Sequence, residues 1–206
     1  MAKDKVAVVD YKAGNLKSVE TALDYLGADF LVTHDPDALR GAARVIFPGV
    51  GEARASMEVL QASGLGQAIV DFFQSGRPLM GICLGTQIIF EHSEERDTAC
   101  LGLVKGKVRR FPESGGLKIP QIGWNQVVHS DSHPVFKGIP ENSNFYFVHS
   151  YYPQADIQEQ VMARTEYGIT FSSAVARDNL FASQFHPEKS GRWGLKLLEN
   201  FLGWNP

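Results

Sequence analysis

Pro78-Leu79-Met80-Gly81-Ile82-Cys83-Leu84-Gly85-Thr86-Gln87 is the stretch on which the fold turns. Leu79–Ile82 is short and apolar, the pattern of a buried strand, and a helix-compatible segment begins directly after Cys83. The cysteine has a glycine two residues to either side, as in the strand-to-helix turn of a nucleophile elbow with Cys in place of Ser. Such a turn strains its central residue and crowds the Cβ positions two residues away, which gives both glycines a steric reason. It also sets the sulfur at the start of a helix, where free N–H groups favour a thiolate. The competing reading of these ten residues alone is a buried thiol in a glycine-rich loop.

Working outward, the first half of the chain alternates strand and helix patterns. Val6–Val9, Phe30–Val32, Val45–Phe47 and Leu79–Ile82 read as strands. Between them lie helical patterns on Leu16, Val19, Leu23 and Leu26, and around Ala53–Leu60 and Gly66–Phe73. A further helix is expected from about Leu84 to Glu91. This is the signature of βαβ units and a parallel sheet covered on both faces. In the second half, Val104–Phe111, Gln126–His129, Phe145–Tyr152 and Val175–Phe185 read as strands joined by turns, with a last helix from about Arg192 to Leu202. The expected fold is α/β: a mainly parallel sheet flanked by helices, with an added antiparallel portion. No repeat or linker divides the chain, so residues 1–206 are expected to form a single domain.

The bulk properties are those of a soluble globular protein: 206 residues, 44% hydrophobic, 21% charged. With 20 basic and 23 acidic residues and a net charge of −3, no basic run supports nucleic-acid or membrane-surface binding. Val6–Val9 is too short for a signal-peptide core or a membrane span. Two cysteines, Cys83 and Cys100, do not make a disulfide framework, and both are expected to be reduced thiols of a cytoplasmic protein.

A nucleophilic cysteine needs a base. Of six histidines, His34, His92, His129 and His133 stand in polar or turn-like surroundings and read as solvated. His186 ends the apolar strand Leu180–Phe185 and precedes Pro187-Glu188. In an extended chain residues two apart share a side, so Glu188 can orient one imidazole nitrogen while the other faces the cysteine. The alternative is a strand-ending histidine near an unrelated glutamate. Oxyanion donors are available from the N–H of Leu84 and from Pro48-Gly49-Val50-Gly51, where either Val50 or Gly51 supplies the second amide. Gln87, one helical turn past Cys83, is a candidate to hydrogen-bond a polar substrate, or a plain surface glutamine.

Gly-Ile-Cys-Leu-Gly-Thr-Gln, with Phe-Pro-Gly-Val-Gly upstream and Gln-Phe-His-Pro-Glu-Lys-Ser downstream, resembles the triad (class I) glutamine amidotransferases. The resemblance implies a flavodoxin-like three-layer fold and hydrolysis of the side-chain amide of L-glutamine through a glutamyl-thioester, with ammonia released to a partner synthase. It makes Cys83 the nucleophile, His186 the general base and acid, and Glu188 the orienting carboxylate. Gly49, Val50, Gly51, Leu84 and Gln87 fall on the oxyanion and substrate positions, and Ser150 and Tyr151 on the segment that holds the glutamine head group. It calls for no cofactor and no metal. Val9-Asp10-Tyr11-Lys12-Ala13-Gly14-Asn15, Pro120–Asn125 and Val148–Tyr152 further resemble the branch of glutaminase subunits serving imidazole glycerol phosphate synthesis in the histidine pathway. That branch implies a heterodimer with a (β/α)8-barrel cyclase subunit, which takes the ammonia and also forms aminoimidazole carboxamide ribotide. Asn15, Pro120, Trp124 and Lys189 would then face the cyclase, although Trp124 filling a core gap and Lys189 being merely solvated are ordinary alternatives. The rival functions are a glutaminase for anthranilate, guanylate or pyridoxal phosphate synthesis, a stand-alone γ-glutamyl cysteine hydrolase, and a binding module without chemistry.

Overall fold

The computed structural model describes residues 5–11, 16–113, 116–129 and 133–206. Asn15 lies outside the described residues. In chain order the elements are β1 (Val6–Val9), α1 (Lys17–Tyr25), β2 (Phe30–Thr33), α2 (Pro36–Gly41), β3 (Arg44–Gly49), α3 (Ala53–Ser63), α4 (Leu65–Gln74), β4 (Leu79–Cys83), α5 (Leu84–Ile88), β5 (Phe90–Ser93), β6 (Thr98–Ala99) and β7 (Val104–Arg110). There follow β8 (Gln121–His129), β9 (Ser143–His149), β10 (Tyr151–Ala155), β11 (Val161–Glu166), β12 (Thr170–Arg177), β13 (Leu180–Ser183) and α6 (Gly191–Gly203). Pro187–Lys189, between β13 and α6, forms a 3₁₀ turn.

Nine strands form the main sheet in the order β2-β1-β3-β4-β13-β12-β11-β8-β9. The first five are mutually parallel and the rest antiparallel, so the βαβ half and the hairpin half share one sheet. The parallel strands carry apolar side chains on both faces, because helices cover both. One face buries Phe47, Phe72 and Phe90; the other buries Phe136, Phe145, Phe147, Phe181, Phe185 and Phe201. Each such ring contributes about 2–3 kcal/mol through burial.

A second sheet, β10-β7-β5-β6, is an addition that hydropathy patterning does not announce. It corrects two expectations. The helix after Cys83 stops at Ile88 instead of running to Glu91. The backbone N–H groups of Leu101, Leu103 and Val104 donate to the Ile88 and Ile89 carbonyls that a longer helix would have used, and the chain turns into β5. The segment Phe145–Tyr152 is two strands, β9 in the main sheet and β10 in the small one, divided at Ser150. Similarly, Val175–Phe185 is a hairpin rather than one strand, its turn carrying Asp178 at φ 52°.

The register at one edge positions everything that follows. Gly49 pairs with Cys83 across β3 and β4, and Ile82 pairs with Ser183 across β4 and β13. All three strands are parallel, so their carboxyl ends open on the same edge, where ligands bind in such sheets. The elbow is built with no clearance. A Cβ placed on Gly85 would lie 1.9 Å from the Phe47 carbonyl oxygen, so α5 rests directly on the β3 backbone. Gly85→Ala is therefore expected to lower stability by about 1–3 kcal/mol through overpacking. Urea unfolding of the two proteins checks this, and an unchanged midpoint would contradict the close approach.

Candidate active site

Cys83 closes β4 with φ 54° and ψ −109°, outside the regions that L-residues favour. Strain of this kind costs about 1–3 kcal/mol and is retained where surrounding packing imposes it. Here the imposition comes from below: Gly81 backs onto Ala182, Gly85 onto Phe47, and Gly49 onto Tyr11. A Cβ on Gly49 would sit 2.1 Å from the Tyr11 hydroxyl and 3.0 Å from the Gly85 nitrogen. The Tyr11 phenol is buried, and burial drives its pKa upward, so it remains neutral against the loop.

His186 and Glu188 approach the sulfur from the end of β13. The His186 Nδ1 is 2.7 Å from Glu188 Oε1, with side-chain exposures of 3% and 5%. They are brought together by the 3₁₀ turn at Pro187–Lys189 rather than by an extended chain, which corrects the geometric reason given from sequence while keeping the pairing. The turn is pinned from several directions. The His186 amide donates to the Tyr146 carbonyl, the Ser190 hydroxyl donates to the His186 carbonyl, and Gly194 of α6 packs on the Pro187 carbonyl. The His186 Nε2 is buried without a well-aligned protein partner and faces Cys83. Burial by itself lowers an imidazole pKa. Here the negative charge and hydrogen bonding of Cys83 and then of Glu188 outweigh it and push His186 up to about 10.

Beside the sulfur lies a cleft of about 260 Å3, lined by Val50, Gly51, Cys83, Leu84, Gln87, Glu95, Pro120, Val148, His149, Ser150 and Tyr151. Its floor is a polar network. Gln87 Nε2 donates to the Tyr151 carbonyl and to Gln184 Oε1, both at 2.9 Å. His149 Nδ1 donates to the same Tyr151 carbonyl at 2.7 Å, and burial holds this imidazole neutral by lowering its pKa to about 4. Both hydrogens of the Gln87 amide are thus engaged, leaving its oxygen as the group it can offer a ligand. Glu95 accepts from the Ala53 amide at 2.7 Å, and its own pKa is raised, by burial foremost.

Cys83 and the His186–Glu188 pair, from two separate segments of sequence, meet at one point. Val50, Gly51, Leu84, Gln87, Ser150 and Tyr151 line the cleft beside them, and Gly49 lies beneath it as the strand partner of Cys83. Pro120, expected on the partner-facing surface, also borders the cleft. Trp124 fills no core gap: it is 58% exposed on β8, its ring edge-on to Tyr146. Lys189 is exposed. Of the four histidines read as solvated, His129 is buried and stacked on Phe136 and His133 is partly buried. Glu95, His149, Gln184 and Tyr11 were missed as site residues. Glu95 sits in a charged run without a distinguishing pattern. Gln184 did carry a signal, as a polar residue inside an apolar strand immediately before Phe185-His186. Among the described residues no group of three His, Cys, Asp or Glu is arranged to hold a metal, and no helix is long and apolar enough to cross a membrane.

The family model for class I glutamine amidotransferases matches residues 7–203, and the chain belongs to that family. Among solved structures, PurLQS from Thermotoga maritima has the same fold, with a TM-score of 0.73 at 20% identity over 98% of each chain. More similar in sequence is a protein of Dehalococcoides mccartyi (strain ATCC BAA-2266 / KCTC 15142 / 195), 50% identical over 96% of this chain and 96% of its own. A Thiobacillus denitrificans protein is 47% identical over 98% of this chain and 92% of its own. Both are named imidazole glycerol phosphate synthase subunit HisH, and within the class I family this chain belongs with the HisH subunits.

The elevated pKa of His186 has a consequence for stability. A histidine raised from 6.5 to about 10 contributes its stabilisation fully below pH 6.5 and loses it as pH climbs toward 10. The unfolding free energies of the parent and of His186→Gln should therefore differ most at the acid end of this window and converge across it. Chemical denaturation at a series of pH values reads this directly, and a difference independent of pH would contradict the assignment.

Proposed function

We propose that the chain hydrolyses the side-chain amide of L-glutamine at Cys83 and delivers the ammonia to a cyclase subunit of imidazole glycerol phosphate synthase in histidine biosynthesis. The observation that carries this reading is the convergence of Cys83 with the buried His186–Glu188 pair beside a cleft sized for a small polar solute. Residues 1–206 act in this reading as one glutamine amidotransferase domain, in the cytoplasm, in a heterodimer with a (β/α)8-barrel cyclase.

Each step follows from a group already described. The Cys83 proton already rests on His186 Nε2, whose other nitrogen is held by Glu188, and the thiolate attacks the amide carbon. The tetrahedral oxyanion receives the Leu84 N–H and one from the Gly49–Gly51 loop. Its collapse breaks the carbon–nitrogen bond, and His186 returns the proton to the departing ammonia. Water then attacks the thioester with His186 again taking the proton, and glutamate leaves.

Recognition of the amino-acid end falls to the far side of the cleft. The Glu95 carboxylate and the Gln87 carbonyl oxygen complement an ammonium group, whereas the N–H groups of Ser150 and Tyr151 complement a carboxylate. The Ser150 and Tyr151 carbonyls already accept from Phe111, Gln87 and His149. Pro120 at the cleft and the exposed Ile122 and Trp124 on β8 supply apolar surface that suits a subunit interface, and the resemblance adds Lys189 and Asn15 to that interface.

The test is ammonia release from glutamine, measured with and without a purified cyclase and its nucleotide ligand. The parent protein is expected to turn over slowly alone and faster in the complex, since a glutaminase coupled to a synthase should not waste glutamine. Cys83→Ala is expected to abolish release in both states while still binding the cyclase. Equal parent rates with and without the complex would contradict the coupling, and undiminished release by Cys83→Ala would remove the thiol from the reaction.

A further inference from the structure

Gln184 is fully buried in the segment between β13 and His186, where a polar side chain must be matched by partners. Its backbone amide donates to the Ser173 carbonyl, so the segment is fixed to β12. Among the described residues the side chain has two hydrogen-bond partners, both at the site. Oε1 accepts from Gln87 Nε2 at 2.9 Å, and Nε2 points at Cys83 Sγ at 3.7 Å. With one amide edge tied to Gln87, the other edge must present hydrogens to the sulfur. Besides the charged His186, the sulfur meets a group that acts the opposite way: the thiol is 3.8 Å from the Val148 carbonyl, an acceptor. A carbonyl suits the protonated thiol and opposes the thiolate, so the Gln184 amide is the neutral side chain that favours the charged form.

Resting on the reading of Cys83 as the nucleophile, we propose that Gln184 is a positioning residue that donates a hydrogen bond to the Cys83 thiolate, its orientation set through Gln87 by the Tyr151 carbonyl. The relay runs from the cleft floor to the sulfur: Tyr151 carbonyl, Gln87 amide, Gln184 amide, Cys83. It ties the residue that faces the substrate to the residue that reacts with it. A ligand that grips the Gln87 oxygen polarises the same amide that holds Gln184 in place.

The test reads the thiol itself, without glutamine. In a Cys100→Ser background the rate of Cys83 alkylation by iodoacetamide is followed against pH for the parent, Gln184→Met and Gln184→Glu. Met keeps the volume and removes the donor; Glu keeps an acceptor and sets an anion toward the sulfur. A hydrogen bond to a charged group at this strength predicts that the midpoint of the profile rises by roughly one pH unit for Met, with about tenfold slower alkylation below the midpoint, and further for Glu. The other titratable groups around the sulfur are His186 and Glu188 from the turn after β13, His149 from β9, Tyr11 after β1 and Glu95 in the cleft. All are unchanged in these variants, so a difference between profiles reports residue 184.

A purely structural role would change how fast Cys83 is reached at every pH and leave the midpoint where it was. Coincident midpoints for parent and Gln184→Met therefore overturn the proposal. Where circular dichroism finds the 184 variants unfolded, Gln87→Met decides instead: it leaves Gln184 in place but unanchored, and its midpoint is expected to rise by a smaller amount. A Gln87→Met midpoint equal to the parent's would then overturn the relay. Either failure leaves the glutaminase reading intact. Undiminished ammonia release by Cys83→Ala would instead remove that reading while the alkylation result still stood.

Discussion

The contact on which the rest of this structure depends is between two backbones. The start of α5 lies so close on the end of β3 that residue 85 has room for no side chain, because the Phe47 carbonyl occupies the place of a Cβ. That contact forces the chain to leave β4 at a steep angle, and the steep exit puts Cys83 at φ 54°. Gly49 repeats the arrangement one strand over, with the Tyr11 hydroxyl against it. The backbone that carries the sulfur is therefore fixed by excluded volume, which leaves the sulfur free to form and break a covalent bond.

Around that fixed point the electrostatics are graded by what each side chain touches. His186 is held as a cation because a sulfur and a carboxylate flank it in a dry pocket. His149, equally buried, is held neutral by desolvation and then by the charge of His186, against the opposing pull of the Tyr151 carbonyl it bonds. Two buried imidazoles near the same thiol thus carry different charges, and only His186 holds the proton exchanged with it. The remaining polar groups on the cleft floor fix one another's orientation, so a ligand would meet a surface with donors and acceptors already assigned.

Much of this was legible in the sequence because it is written locally. Glycines at 81 and 85 around Cys83, and His186 two residues from Glu188, are short-range patterns with steric or hydrogen-bonding reasons. The apolar runs of β1, β3 and β4 are equally plain. What escaped was set by tertiary pairing. Nothing in Phe90–Ser93 reports that four residues after α5 will join β7, and nothing in Phe145–Tyr152 reports that Ser150 divides two sheets. Glu95 lacks any local mark, since its role depends on where α3 begins. Gln184 was the exception: a lone amide in an apolar strand next to a candidate base was a readable sign of a buried polar network.

The central claim is that Cys83 is a nucleophile for the side-chain amide carbon of glutamine. Its most direct test is covalent trapping with a glutamine analogue carrying an electrophilic diazoketone in place of the side-chain amide, followed by peptide mass mapping. The account predicts a single adduct, on the peptide containing Cys83, whose formation glutamine slows by competition. Labelling of Cys100 instead, or an unlabelled Cys83 in protein that still releases ammonia from glutamine, would contradict it.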